Sequence, residues 1–273
     1  MIEGYVYRPF KFFFITFLIT WTTWFQAAYL SYRPGGEGLE GALMGLGLLG
    51  PLAAALLMIL GSQNLMLKRD FRNKIFNCKL IKPVYIPVIL FLMPAVMVIS
   101  ILLSVKTGQS IEQLRISGEF DIMGGHPVLS LIIPFLAPAL EELGWSGYGI
   151  DSLRKKYNIF TATIIFAIVW AVWHLPLFFI KGYYHYNLLQ DNLIYALNFF
   201  VSVIPMTIIT NWLYYRNHRS VIAAIIFHAI VVVSSEIFQV VNFTKCIVTV
   251  VLAVIAIIIV RFEKDLFFGK KNF

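Results

Sequence analysis

The sequence Leu131-Ile-Ile-Pro-Phe-Leu-Ala-Pro-Ala-Leu-Glu-Glu-Leu-Gly-Trp-Ser-Gly-Tyr148 is apolar except for two adjacent acids, Glu141 and Glu142. Such a run predicts a helix in a lipid bilayer, because roughly 20 apolar residues cross a hydrocarbon core. An ionisable side chain there costs roughly 2.5–3.5 kcal/mol, so it indicates a function and a partner. The partners that the sequence offers are His174 and His228, in two later apolar segments.

The rest of the chain has the same apolar character. Of its 273 residues, 59% are hydrophobic and only 13% are charged, and the mean hydropathy is +0.80. These values lie outside the range of soluble proteins and predict an all-α, polytopic integral membrane protein. We expect about eight transmembrane helices. The apolar stretches lie at about 10–30, 41–62, 83–105, 127–150, 158–180, 193–213, 220–240 and 244–261.

Short connections between these stretches favour one transmembrane domain, residues 1–273. Within it we expect scaffold helices 1–3 and an outer loop in 10–126, a motif-bearing catalytic core in 127–240, and the last helix with a basic cytoplasmic tail in 241–273. The first stretch is too long for the apolar region of a typical signal peptide, so we interpret it as a membrane helix. Gly45, Gly47 and Gly50 in the second stretch predict close helix packing.

The basic residues predict the orientation of the helices. Most of the 22 lysines and arginines fall in alternate loops, with the largest group at 68–82. Since lysine and arginine are retained on the cytoplasmic side, both termini should be cytoplasmic. The net charge of +8 would then also attract anionic lipids. We expect no nucleic-acid partner, because the basic residues are not part of an aromatic-interleaved nucleic-acid-binding motif. Cys78 and Cys246 fall on opposite sides and should not pair. The predicted location is the cell membrane of a prokaryote.

The two glutamates should have different roles. Adjacent residues on a helix point about 100° apart, so Glu141 shares a face with Trp145 and Glu142 shares one with Ser146. One carboxylate could activate water while the other orients a neighbouring group. We expect the helix to continue past Gly144 to about Leu153, which places the glutamates near the middle of the membrane.

The histidines lie in two further apolar segments. In Phe166-Ala-Ile-Val-Trp-Ala-Val-Trp-His-Leu-Pro176, the side chains of Phe166, Trp170 and His174 form one helical stripe, and Pro176 should bend the chain just beyond it. His228 is followed two turns later by Ser234, Ser235 and Glu236. Solvated loop positions are expected for His126, His185 and His218. The sixth apolar stretch, at about 193–213, contains several polar residues for which we favour hydrogen bonding between helices over cavity lining. These residues are Asn198, Ser202, Thr207, Thr210 and Asn211.

A glutamate pair and two histidines from three helices could hold a divalent ion or a water molecule. Imidazole and carboxylate are ligands for zinc, and an open position would hold the nucleophilic water. In a metal-free alternative, glutamate is the base and histidine donates to a developing oxyanion.

Three motifs carry a family resemblance: Glu141-Glu-Leu-Gly-Trp-Ser-Gly-Tyr148, Trp170-Ala-Val-Trp-His-Leu-Pro-Leu-Phe-Phe179 and Phe227-His-Ala229. In this order they resemble the motifs of the CAAX protease and bacteriocin-processing intramembrane proteases, which include the type II CAAX prenyl endopeptidases. The resemblance covers about residues 127–240. It implies an eight-helix membrane protease with a cavity open toward the cytoplasmic leaflet.

The resemblance also implies roles for the site residues. Glu141 is the water-activating base, Glu142 is its partner, and His174 and His228 are catalytic or metal-binding. If zinc or another divalent metal is bound, its ligands are Glu141, His174 and His228. The substrate would be a membrane-anchored or lipidated protein or a precursor peptide.

The chain departs from the family at two positions. Ser146 stands where the first motif usually has Arg, and Val232 stands where the third usually has Asn. Losing one oxyanion donor can lower a rate roughly 10²–10³-fold. Ser235 or Glu236 could substitute for it, and Ser235 falls near the face of His228. Val232 therefore keeps a second hypothesis open, a non-proteolytic membrane factor with an immunity or chaperone role. An ion- or proton-coupled transporter is the third hypothesis, disfavoured by the lack of inverted repeats.

Overall fold

The computed structural model describes residues 5–117 and 127–269, and in this part of the chain it is helical without a β-sheet. This confirms the predicted all-α class. The α-helices are α1 (Pro9–Leu30), α2 (Glu37–Leu48), α3 (Gly50–Leu60), α4 (Leu65–Phe76), α5 (Ile86–Val105), α6 (Pro127–Gly144), α7 (Ile150–Arg154), α8 (Ile159–Trp173), α9 (Tyr184–Asp191), α10 (Leu193–Arg216), α11 (Val221–Glu236), α12 (Asn242–Phe262) and α13 (Lys264–Phe268).

Several helices are long and apolar enough to cross a membrane. Among the described residues there are five, at Pro9–Leu30, Pro83–Val105, Ile159–Phe179, Leu193–Arg216 and Asn242–Phe262, and up to six if α2 and α3 form one bent span. An integral membrane protein is therefore confirmed. The number of eight spans and the cytoplasmic position of the termini stay predictions.

Side chains before the helices explain where several of them begin. The Asn158 carboxamide accepts a hydrogen bond from the Thr161 amide at 2.7 Å, and the Ser220 hydroxyl accepts one from the Ala223 amide at 3.2 Å. Such caps satisfy amides that have no partner within the helix. At its other end, α8 stops at Trp173 and becomes a 3₁₀ turn over Leu175–Phe179, as the proline at position 176 predicts.

The second apolar stretch packs on α1 through two of its glycines. A side-chain carbon at Gly47 would lie 2.2 Å from the Trp24 indole nitrogen, and one at Gly50 would lie 2.2 Å from the Thr20 hydroxyl. The predicted close packing is therefore confirmed at these positions. At Gly45 it was wrong, because that residue faces open space. The stretch is also bent by 41° between α2 and α3, which the sequence analysis did not predict.

The bundle has two ends. At the termini end, residues 5–8, segment 61–85 and the connections after α7 and α10 meet, through a hydrogen bond of 2.9 Å from the Lys82 amide to Asn217 and one of 3.1 Å from the Lys155 ammonium to the Tyr5 carbonyl. At the far end, segments 31–36, 106–117, 180–192 and 237–241 meet. There the Val241 amide donates to Gln113 at 3.1 Å.

Candidate active site

The glutamate-bearing helix continues past Gly144, as predicted, but with a change of geometry. α6 is followed by a π-helical turn over Trp145–Gly149 and then by α7. A π turn leaves main-chain carbonyls without their usual α-helical partners and often marks a functional site. Here the Ser146 carbonyl accepts a hydrogen bond of 2.8 Å from the Tyr214 hydroxyl, and the Gly147 carbonyl accepts one of 2.8 Å from the Lys74 ammonium.

Glu142 is held from two sides. The Ser146 hydroxyl, one turn later, donates to its Oε2 at 2.5 Å. Its Oε1 lies 3.2 Å from Nδ1 of His228 on α11, which assigns the Nδ1 proton to His228 as the donor. The expected shared face of Glu142 and Ser146 is thus confirmed. The serine at the family's arginine position is a direct partner of the second glutamate, a role that the sequence analysis did not assign.

Glu141 is held by the tryptophan of the second motif. The Trp170 indole donates to its Oε2 at 3.0 Å. Directly after the end of α8, Nδ1 of His174 lies 2.8 Å from the Trp170 carbonyl, so Nδ1 carries the proton and Nε2 is left as an acceptor. Glu141 is only 7% exposed, so this hydrogen bond is largely shielded from water.

Trp170 is therefore the centre of the site. Its ring lies 5.9 Å from the ring of His174 and 5.3 Å, edge to face, from that of His228. The predicted stripe of Phe166, Trp170 and His174 is confirmed, with the first two rings stacked at 5.9 Å. Helical spacing predicted the aromatic wall that contains Trp170 but not the hydrogen bond from its indole to Glu141. The spacing of four residues to His174 was the available signal.

These side chains line a cavity of about 540 Å³. Its residues come from the middle of the bundle, where Glu141 and His228 lie, and from the half of each helix nearest the far end. Val232 and Ser235 line it on α11. Asn198 and Ser202 line it on α10, so the preference for bonding between helices was wrong for these two. Asn211 does bond between helices, to Thr163 at 3.1 Å. The hydroxyls of Thr207 and Thr210 instead donate to carbonyls within α10.

His185 corrects another prediction. It was expected to be solvated in a loop, whereas it lies on α9, is only 7% exposed and lines the cavity. Its ring stacks on that of His174 at 5.8 Å and contacts that of Phe199 at 4.4 Å. Neither ring nitrogen has a hydrogen-bond partner among the described residues. His218 is exposed, as expected, and His126 lies outside the described residues.

Each of the three expected metal ligands, Glu141, His174 and His228, has a protein hydrogen-bond partner. Among the described residues, no group of three or more His, Cys, Asp or Glu side chains could hold one ion. Glu141 bonds to Trp170, and His228 bonds to Glu142 rather than to Glu141. The two cysteines are free, Cys78 being exposed.

A buried ionic cluster lies between the site and the termini end. Lys74 donates to Asp151 at 2.8 Å, and Arg219 bridges Asp151 and Asp70 at 2.7 and 2.6 Å. Burial opposes ionisation of Asp151, but Arg219 and Lys74 outweigh it and hold the pKa of its carboxyl well below the usual range. Tyr214 joins this cluster to the π turn, because its hydroxyl also lies 3.0 Å from Asp151.

The position of the cavity shows that two predictions about its side of the membrane conflict. Charge places the termini end in the cytoplasm, whereas the resemblance implies a cavity open toward the cytoplasmic leaflet. The cavity extends to the far end, where Glu236 and Lys245 line it. The two predictions therefore cannot both be right.

Two comparisons with known proteins show which family the chain belongs to. A sequence profile described as Type II CAAX prenyl endopeptidase Rce1-like matches residues 124–234. The chain is also similar to CAAX prenyl protease 2 of Methanococcus maripaludis, with 42% identity over 271 residues, 99% of each chain. The chain belongs to the type II CAAX prenyl endopeptidase family. The predicted family is thus confirmed, and the predicted peptidase is supported at the level of the family.

Proposed function

We propose that this family member hydrolyses a peptide bond in a prenylated, membrane-anchored peptide, in the cell membrane of a prokaryote. The observation that carries the proposal is the arrangement around Trp170, which brings Glu141, His174 and His228 from three helices to one wall of a cavity. The relative's name supports the class of substrate. A CAAX sequence is a prenylated cysteine with three residues after it at the chain end, and the proposed scissile bond follows that cysteine. The basic end of the bundle would rest on anionic lipids.

In the proposed reaction, Glu141 removes a proton from a water molecule that also donates to Nε2 of His174. The resulting hydroxide attacks the scissile carbonyl carbon. Because Glu142 accepts from Nδ1 of His228, it stabilises a protonated ring whose Nε2–H can donate to the developing oxyanion. When the C–N bond breaks, the proton on Glu141 moves to the leaving nitrogen. Water is consumed, and a carboxylic acid and an amine are released.

This mechanism needs no metal ion, and the hydrogen bonds of Glu141 and His228 support it, since each group is already committed to a protein partner. Zinc chemistry would need these ligands to rearrange around one ion. Metal content and activity should therefore be measured together on the purified protein. Cleavage that survives chelation, in protein without stoichiometric metal, supports the proposal, and activity restored only by a divalent ion contradicts it.

The Glu141→Gln variant tests the proposed base. The amide keeps the shape and the contact with Trp170 but cannot accept a proton, so we expect kcat for a prenylated peptide to fall about 10²–10⁴-fold. Glu112→Gln is a matched control, since that carboxylate is exposed and pairs with Arg115 at the far end. Membrane accumulation of both variants should equal that of the wild type. Undiminished cleavage by Glu141→Gln contradicts the mechanism.

A further inference from the structure

We propose that Lys245, at the mouth of the cavity, binds the C-terminal carboxylate of the peptide that the enzyme cleaves off. This inference rests on the proposed function, because it assigns the part of the substrate beyond the scissile bond. It commits to one ligand chemistry, the free α-carboxylate at a chain end.

The first observation is that Lys245 has neutral partners. It lies in the first turn of α12, lines the same cavity as Glu141 and His228, and is partly buried. Its ammonium donates to the Tyr184 hydroxyl at 3.1 Å and lies 4.4 Å from the centre of the Tyr184 ring. Among the ion pairs of the described residues, none joins this lysine to a carboxylate. A partly desolvated cation with uncharged partners favours an anion beside it.

The second observation concerns the surroundings of the ammonium. The N-terminal end of α12 adds a positive partial charge in the same place, so helix and side chain attract an anion together. His185 lies in the same wall, 93% buried, and its ring nitrogens have no partner among the described residues. Glu236 is the acidic residue that also lines this part of the cavity. It is exposed, so water and salt screen its charge.

The length of the cavity fits the proposed ligand. The cavity follows α11 from His228 to Glu236, a rise of about 12 Å, and α12 from Leu252 to Lys245, a rise of about 10 Å. Three extended residues span about 10 Å. A peptide with its scissile carbonyl beside Glu141 and His228 therefore places its chain end, three residues later, at the depth of Lys245.

The walls between these points suit the two aliphatic residues of a CAAX sequence. Val231 and Val232 line the cavity on α11, and Val248 and Leu252 line it on α12. Apolar walls contribute affinity by removing apolar surface from water, whereas one charged group fixes the direction of the chain. In this arrangement Lys245 selects a substrate that ends three residues after the scissile bond.

The test compares two peptides that differ only at the chain end. Both carry a fluorophore and a prenylcysteine followed by valine, leucine and alanine, and one ends in a free acid whereas the other ends in a carboxamide. We expect the wild type to bind the acid roughly tenfold more tightly, as a hydrogen bond to a charged group predicts. Lys245→Gln should lower affinity for the acid to that for the amide and leave amide binding unchanged.

Lys181→Gln is the matched control. Lys181 is another lysine at the far end, it also lies over a tyrosine ring, 5.9 Å from the centre of Tyr32, and it does not line the cavity. This variant should keep the wild-type preference. Lys245→Arg should keep most of it, because the charge remains. Equal binding of both peptides to the wild type, or equal losses for both in Lys245→Gln, would overturn the proposed subsite.

Cleavage of the same peptides separates this proposal from the proposed function. If the wild type cleaves acid and amide at equal kcat/KM, the peptidase stands and the carboxylate subsite is wrong. If it cleaves neither, the peptidase is wrong, and the binding comparison still decides whether Lys245 recognises the carboxylate. A tenfold preference for the acid in both measurements, lost in Lys245→Gln, supports both proposals.

Discussion

The two halves of the bundle differ in whether their partly or fully buried polar groups are paired with one another. Toward the termini end, Asp70, Lys74, Asp151 and Arg219 form two cations and two anions that neutralise one another at 2.6–2.8 Å. Toward the far end, the Lys245 ammonium donates to the hydroxyl of Tyr184, and neither ring nitrogen of His185 has a hydrogen-bond partner among the described residues. A satisfied cluster fixes structure, whereas unsatisfied polar groups around a cavity are available to a ligand. The difference separates the part that holds the site from the part that receives the substrate.

The side of the membrane to which each end of the bundle is exposed should give the largest effect, because a cysteine is either labelled from outside the cell or it is not. Cys78 lies at the termini end and is exposed, and Gln239 is exposed at the far end. From the charge distribution, we expect a membrane-impermeant maleimide added to intact cells to label a Gln239→Cys, Cys246→Ser protein at position 239 and not at Cys78. Permeabilised cells should show both. Labelling of Cys78 from outside would instead place the cavity on the cytoplasmic side.

Breaking the ionic cluster should give the next largest effect. Asp151→Asn removes the more buried of the two carboxylates and leaves Asp70 as the remaining acidic partner of Lys74 and Arg219. We expect a loss of about 3–5 kcal/mol in the free energy of unfolding. Thermal unfolding in detergent measures it. Glu263→Gln, in the more exposed pair with Arg216 at the same end, is the control and should cost at most about 1 kcal/mol.

The pH dependence of this effect has a definite sign. Because the pKa of Asp151 is lowered in the folded protein, its contribution to stability is present above the ordinary carboxyl pKa of about 4 and is lost as the pH falls below it. Wild type and Asp151→Asn should therefore differ at neutral pH and converge in acid. A constant difference down to strong acid would contradict the role of the carboxylate.

The sequence predicted the site better than it predicted the cavity. Membrane helices and the positions of the glutamates and histidines follow from hydropathy and helical spacing, which are local properties. The pairing of Glu142 with His228 joins residues 86 positions apart and depends on how α6 packs on α11. Likewise, the sequence around His185 is typical of a polar loop, and only the packing of α9 brings its ring against that of His174. No local pattern distinguishes these contacts.

The Val232→Asn variant tests whether the cavity lacks a hydrogen-bond donor for the oxyanion. Val232 lines the cavity one turn from His228, where the family usually has an amide. We expect Asn to add a donor to the oxyanion and to raise kcat about 10–100-fold, within the range that such donors supply. Val248→Asn, on the facing α12, is the control for added polarity in the same cavity. An unchanged kcat in Val232→Asn would show that another group already supplies the donor.

Ser146 connects the two halves, and its removal should have the smallest effect. Its carbonyl is held by Tyr214 from the ionic cluster, and its hydroxyl holds Glu142 from the site. Ser146→Ala removes only the second contact, so we expect kcat to fall about tenfold, as a hydrogen bond to a charged group predicts, with little change in KM. Ser152→Ala is the control, since that equally buried hydroxyl donates to the Gly149 carbonyl at 2.6 Å. It should leave kcat unchanged. If both variants lower kcat and the unfolding temperature together, Ser146 contributes only to stability. In that case its hydroxyl does not position Glu142 for the reaction.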